Sequence, residues 1–280
     1  MNMTGGGPDD LGFDAVVATA WFAHQQEVPY VLVNVRATDV AAWEATLGIA
    51  LRRCYVTDDV LETQQQVTGV PLATLVEAKL PDPGSTMAGD FGEFVAYLYQ
   101  AVKAQPAIAI GAKKWRLKQD RTKPAPYSDV LHFVLPQWPQ ASTQDVLLCS
   151  EVKTKSTASK FSPITAAIED CEKDRTSRLS KTLVWLKERA LFEDLGDVSI
   201  AHLDRFIKAT DHPPARKEFR AVAVVCTSLV QGELRSAPPT SSADYTLVVI
   251  SVPNLHAAYS ALFAEARRSL PNGPRPGGNR

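Results

Sequence analysis

Val146-Leu147-Leu148-Cys149-Ser150-Glu151-Val152-Lys153 decides how this chain is read, because an apolar run with no polar face ends in a carboxylate and an ammonium. A run apolar on both faces is the pattern of a strand in the middle of a sheet. Side chains alternate along a strand, so Glu151 and Lys153 project to one side and Val152 to the other. Upstream, Tyr127-Ser128-Asp129-Val130-Leu131-His132-Phe133-Val134-Leu135 is rich in β-formers and reads as a second strand with Asp129 at its head. The two strands predict a hairpin whose tips bring Asp129 and Glu151 together. A blander account is also available: Asp129 as a turn residue, and Glu151 and Lys153 as solvated charges protecting an edge strand. The two-sided apolar run argues against an edge.

Outward from this pair, 89–103 has the spacing of a helix with Phe91, Phe94 or Val95, Leu98 and Val102 on its apolar stripe and Glu93 off it. Asp90-Phe91-Gly92-Glu93 fits a helix-capping arrangement equally well. Beyond Lys153, 164–190 reads as one long or two short charged helices, followed by strands at 221–227 and 245–252 and an amphipathic helix at 255–270. The order helix, strands, helix, strand is that of a mixed α/β layer. Ahead of the linker 81–85, a strand at 28–36 and a helix from 40 to 51 suggest a small N-terminal α/β addition at 13–85, before a core at 86–270. The Gly- and Pro-rich ends, 1–12 and 271–280, are expected to be disordered.

Composition excludes more than it names. The 280 residues are 45% hydrophobic and 22% charged, ordinary for a globular chain, with no run of the roughly 20 apolar residues that a membrane helix needs. The N-terminus lacks a basic segment followed by an apolar one, and a soluble, cytoplasmic location is expected. Cys54, Cys149, Cys171 and Cys226 are too widely spaced to suggest a zinc site or a disulfide framework. Gly5-Gly6-Gly7 is followed by no strand, Lys and Ser/Thr, so the chain has no phosphate-cradling loop and is not an ATPase. The net charge of −1 hides an asymmetry: residues 101–190 carry 16 Lys/Arg against 9 Asp/Glu, a balance of +7 that leaves −8 for the rest.

That basic third surrounds the candidate chemistry. Lys113, Lys114, Arg116 and Lys118, with Trp115 among them, precede the Asp129 strand and suit a surface that tracks phosphates, with Lys155 as a further contact. Surface solubility explains the same run; Lys160, Lys173, Arg175, Arg178 and Lys181 extend the track or, interleaved with Glu169, Asp170, Glu172 and Asp174, mark an exposed helix, and the two readings stand level. His132 alternates away from Asp129 and reads as a core histidine.

In order and context, Gly92-Glu93 on a helix, Ser128-Asp129 starting a strand and Glu151-Val152-Lys153 ending the next resemble the PD-(D/E)XK nuclease superfamily. Ser128 stands where the proline of that motif would be. Within the superfamily, the blocks Gly89-Asp90-Phe91-Gly92-Glu93-Phe94-Val95-Ala96-Tyr97-Leu98, Lys114-Trp115-Arg116-Leu117-Lys118, Ser128-Asp129-Val130-Leu131-His132 and Ser150-Glu151-Val152-Lys153 are similar to the HamA family of the Hachiman anti-phage defence system. The resemblance implies a restriction-endonuclease-like mixed sheet flanked by helices. It also implies a metal-dependent DNA nuclease held in check by a helicase partner. Asp129 and Glu151 would then bind Mg²⁺, with Mn²⁺ as a substitute. Lys153 would orient or deprotonate the attacking water and stabilise charge, and Glu93 would complete the metal shell directly or through water. A non-catalytic nucleic-acid or partner-binding subunit on the same fold is the alternative.

Overall fold

The computed structural model describes residues 10–236 and 240–271. Within them the strands β1 (Phe22–Gln26), β2 (Val31–Val35), β3 (Ala109–Gly111), β4 (Val130–Val134), β5 (Val146–Lys155), β6 (Arg216–Cys226) and β7 (Thr246–Val252) form one sheet in the order β1-β2-β7-β6-β5-β4-β3. β5, β6, β7 and β2 run parallel; β4 and β3 on one side and β1 on the other are antiparallel additions. The mixed α/β class expected from the sequence, one mixed sheet flanked by helices, is therefore what forms. β5 is central, paired with β4 and β6, as its two-sided apolar start requires.

The helices are α1 (Ala15–Ala18), α2 (Ala37–Tyr55), α3 (Asp58–Thr68), α4 (Leu72–Lys79), α5 (Ser85–Lys103), α6 (Pro163–Lys173), α7 (Leu179–Arg189), α8 (Ile200–Ile207), α9 (Thr227–Ser236) and α10 (Leu255–Arg268). Val130, Val152, Val222, Val224, Val248 and Ile250 point to one face, where they meet α5, α2 and α10 in a core with Trp43, Phe91, Phe94 and Phe263. Leu131, Phe133, Leu147 and Cys149 point to the other and pack on α7 and α8 through Leu183, Leu186 and Leu203. α6 and α9 cover Ala221, Ala223, Val225 and Val249 on that same side. None of the described helices is long and apolar enough to cross a membrane.

α5 lies inside the molecule, with every residue from Asp90 to Val102 buried, so the amphipathic stripe read from sequence understates how much of it is enclosed. It also starts at Ser85 rather than near 89. Asp90 and Glu93 therefore sit well inside the helix, and the capping account of these two residues is overturned. Gly92 lets α5 approach β5: a Cβ there would lie 1.9 Å from Thr154 Oγ1.

The segment expected as an addition at 13–85 joins the main sheet directly, since β2 pairs in parallel with β7 from Val31↔Val248 to Asn34↔Ser251. β1, Phe-Ala-His-Gln-Gln, has too little apolar alternation to be seen in sequence and owes its place to β2. Of the ends expected to be loose, 1–9 and 272–280 lie outside the described residues. Asp10 and Leu11 are anchored: Leu11 is buried in the core and Asp10 bonds Lys113 and Arg116. The helical stretch foreseen at 164–190 is α6 and α7 joined without a break by a π-helical turn, Asp174–Arg178.

Candidate functional site

β5 outruns β4. The last paired rung is Val130↔Ser150, so from Glu151 onward β5 has no ladder partner on that side. Continuing the register places Asp129 opposite Glu151, where cross-strand side chains are neighbours. Asp129 Oδ2 accepts a hydrogen bond from Val152 N at 2.8 Å, taking the place of the missing strand. Asp129 keeps a window to solvent, whereas Glu151 is buried. The hairpin geometry expected from sequence thus brings these two carboxylates to one open end of the sheet.

Glu151 and Lys153 do share a face, the one covered by α6 and α7. Lys153 Nζ bridges Glu151 Oε1 at 2.5 Å and Asp170 Oδ2 at 2.7 Å. Arg178, on the π-helical turn, reaches Glu151 Oε2 at 3.4 Å and Asp174 Oδ1 at 3.1 Å while donating to Asp170 O at 2.8 Å. Asp174 Oδ1 accepts from Ser128 Oγ at 2.9 Å, and Thr182 Oγ1 donates to the same hydroxyl at 3.0 Å and accepts from Ser128 N at 3.2 Å. Asp170, Asp174, Arg178 and Thr182 line the candidate site, whereas the sequence reading put the two acids on an exposed helix and Arg178 on that helix or on the phosphate track. Their spacing of four was the available signal, since residues four apart share a helix face. The π-helical turn, a feature frequent at functional sites, gave no sign of itself in the sequence.

Glu93 approaches from the other side. It lies on α5, next to Gly92 and so on the face of Val152 and Thr154, and its buried Oε2 has no hydrogen-bond partner. Glu93 and Glu151 each feel the charge of Asp129, at the open end of the sheet. Among the described residues no three His, Cys, Asp or Glu side chains are grouped to hold a metal ion. Glu93 therefore does not join Asp129 and Glu151 in one preformed cage.

The electrostatics follow from burying like charges together. Burial, then the neighbouring Asp129 charge, pushes Glu151 up to about 9 despite the offsetting Lys153. Burial also raises Asp129, against the pull of Lys114 and Lys153, and lifts Glu93 well above the carboxylate range, helped by Asp129 and Asp90. Burial alone would favour a neutral Lys153, but Glu151 and Asp170 outweigh it and hold the amine above its ordinary value. Lys153 is thus seated between two carboxylates that favour its ammonium form.

The basic run is placed differently from the exposed track expected. Lys113, Lys114, Arg116 and Lys118 are all enclosed. Lys113 Nζ meets Asp10 at 2.5 Å and Asp197 at 3.1 Å, Arg116 meets Asp10 at 2.7 Å, and Lys118 meets Asp90 at 2.7 Å beside the Tyr55 hydroxyl. Lys114 Nζ donates to Ser128 O, directly behind Asp129. Lys155 is likewise occupied by Glu233 at 2.6 Å and by the carbonyls of Ser159 and Phe161. These five cations are internal struts, because a buried ammonium or guanidinium needs a counter-charge or carbonyls. His132 is enclosed against Tyr97 at 4.4 Å between ring centroids, a core histidine as read.

The chain matches no curated protein. The HamA family model matches residues 19–266, from the turn before β1 to the last turn of α10. That span takes in all seven strands and every residue of the site at the end of β5, and the chain belongs to the HamA family, that of the Hachiman defence system and its partner proteins.

Proposed function

We propose that this chain is a metal-dependent DNA nuclease, hydrolysing phosphodiester bonds as the effector of its defence system. The observation that carries the proposal is the rung Asp129–Glu151 at the unpaired end of β5, with the charged Lys153 on the same face as Glu151. Hard oxygen donors crowded against one another suit Mg²⁺ or Mn²⁺, because a divalent cation relieves the repulsion that burial has intensified. Two carboxylates are enough, since Mg²⁺ commonly binds through one or two and fills its shell with water and substrate phosphate. When bound, the cation would polarise the phosphoryl group and activate water. Asp129 and Glu151 would hold it; Glu93, behind Asp129 on the α5 side, is an accessory ligand through water.

Lys153 is charged, so its part is to orient the attacking water and stabilise negative charge developing on the phosphate. Arg178 and Asp170 fix Glu151 and Lys153 in place. The absence of a phosphate-cradling loop supports a separate helicase partner for any unwinding. The alternative, a non-catalytic binding subunit, relied on an exposed basic run that is in fact occupied internally. In the test, purified chain is incubated with plasmid, linear duplex and single-stranded DNA in Mg²⁺ or in EDTA, alone and after release from its partner, and cleavage of any of the three counts. Mg²⁺-dependent cleavage is expected, with Lys153→Ala reduced about a hundredfold or more, the scale for losing one preorganised charge at a reacting centre. Asp129→Ala should be inactive with an unchanged circular dichroism spectrum. Full cleavage by either variant would falsify the assignment.

A further inference from the structure

Beside the acids lies a second feature that the chemistry above does not use. Tyr127, two residues before Asp129, has φ 66°, a left-handed conformation that costs a bulky residue energy. The residue is 41% exposed, and its ring meets Trp185 of α7 edge-on, 6.0 Å between centroids at 66°. The two rings, with Ser180, Lys181, Val184 and Glu188, line an open cleft of about 390 Å³. Ser128 and Thr182 hold its walls together by the two hydrogen bonds between them, one residue from Asp129 and one turn beyond Arg178. These bonds hold the Tyr127 backbone two residues from Asp129 while its side chain stays partly exposed.

We infer that the Tyr127–Trp185 cleft stacks an unpaired base of single-stranded DNA, seating the adjoining phosphate at Asp129 and Glu151. This rests on the nuclease reading and narrows its substrate to a strand with unstacked bases. An edge-on contact covers a face of only one of the two rings, Tyr127 stays exposed and Trp185 half-buried, and base–aromatic stacking tolerates any sequence because every base has a π-face. Lys181, exposed on the same wall, supplies the one cation of the lining for the backbone, while a paired duplex has no free base face to insert.

The test is fluorescence anisotropy of the full chain in EDTA with end-labelled oligo-dT and with an abasic strand of equal length. Wild type should bind oligo-dT about tenfold or more tighter than the abasic strand, a ratio within the range for stacking one base. Trp185→Ala and Tyr127→Gly should each lose about that factor for oligo-dT alone, and Trp185→Phe should keep most of it. Glycine adopts φ 66° freely, so Tyr127→Gly removes the ring without straining the backbone. Equal affinity of wild type for both strands, or variants that bind oligo-dT as wild type does, overturns the inference. Unaltered binding in these variants together with normal Mg²⁺-dependent cleavage defeats stacking alone. Stacking without cleavage in Mg²⁺ or Mn²⁺ supports the cleft and defeats the nuclease reading instead.

Discussion

Replacing Gly92 with alanine tests how closely α5 is pressed on the strand that carries the site. A Cβ at this position would lie 1.9 Å from Thr154 Oγ1, 3.2 Å from Thr154 Cβ and 3.5 Å from Val152 Cγ1. The first distance is impossible, so either Thr154 rotates against its β-branched preference or α5 lifts away. Overpacking of this kind costs about 1–3 kcal/mol, while alanine returns up to ~1 kcal/mol of helix propensity, leaving a net loss of roughly 1–2 kcal/mol. The Thr154 hydroxyl is buried with no hydrogen-bond partner, so Thr154→Ala removes the obstacle without breaking a bond. Urea unfolding of the four members of the cycle should show Gly92→Ala destabilising in wild type and neutral or stabilising with Thr154→Ala. The coupling should therefore be about 1–3 kcal/mol, in the range for residues in direct contact. A Gly92→Ala protein as stable as wild type, or one equally destabilised in both backgrounds, refutes the close approach.

Two further outcomes concern buried charge. Arg205 Nε meets Asp145 Oδ2 at 2.6 Å with both side chains enclosed, and Arg205 also donates to the carbonyls of Ser142 and Pro213 at 2.9 Å. Asp145→Ala should cost about 3–5 kcal/mol in urea unfolding by leaving the guanidinium unpaired, and a loss below about 1 kcal/mol would contradict this. His132 is held down to about 3 by burial, with Lys113 and Arg220 adding to it, and neither ring nitrogen has a hydrogen-bond partner. Below the ordinary histidine value of about 6.5 the unfolded chain takes up a proton that the folded one refuses, so stability is lost as pH falls from there towards 3. Between pH 7 and 5 the loss from this residue is about 2 kcal/mol. His132→Phe should fall that much less than wild type over the same interval, and parallel curves would show that His132 is not enclosed as a neutral ring.

Much of the candidate site's geometry was legible in sequence because it depends on local order. The apolar run into Glu151-Val152-Lys153 carries its own periodicity, and a strand headed by Asp129 within hairpin range leaves few ways to pair. Sequence failed for Lys113, Lys114, Arg116 and Lys118 because their partners are distant along the chain: Asp10 for the first and third, Asp90 for the last. A lysine in a strand of sequence looks the same whether it meets water or a carboxylate a hundred residues away. Glu93 was placed on its helix but not on its side of the sheet, which depends on how α5 crosses β5 through Gly92.

The chain's own alternation and spacing determined that a central strand would end in a carboxylate and an ammonium on one face, opposite a second acid. Only the tertiary structure decided which charges turn inward, how the π-helical turn adds Asp174 and Arg178, and that Glu93 faces Asp129 from the opposite side of the sheet. The reason is physical: side-chain direction is set within a few residues by backbone geometry, whereas burial and charge partnership are properties of surfaces that exist only after distant segments have packed.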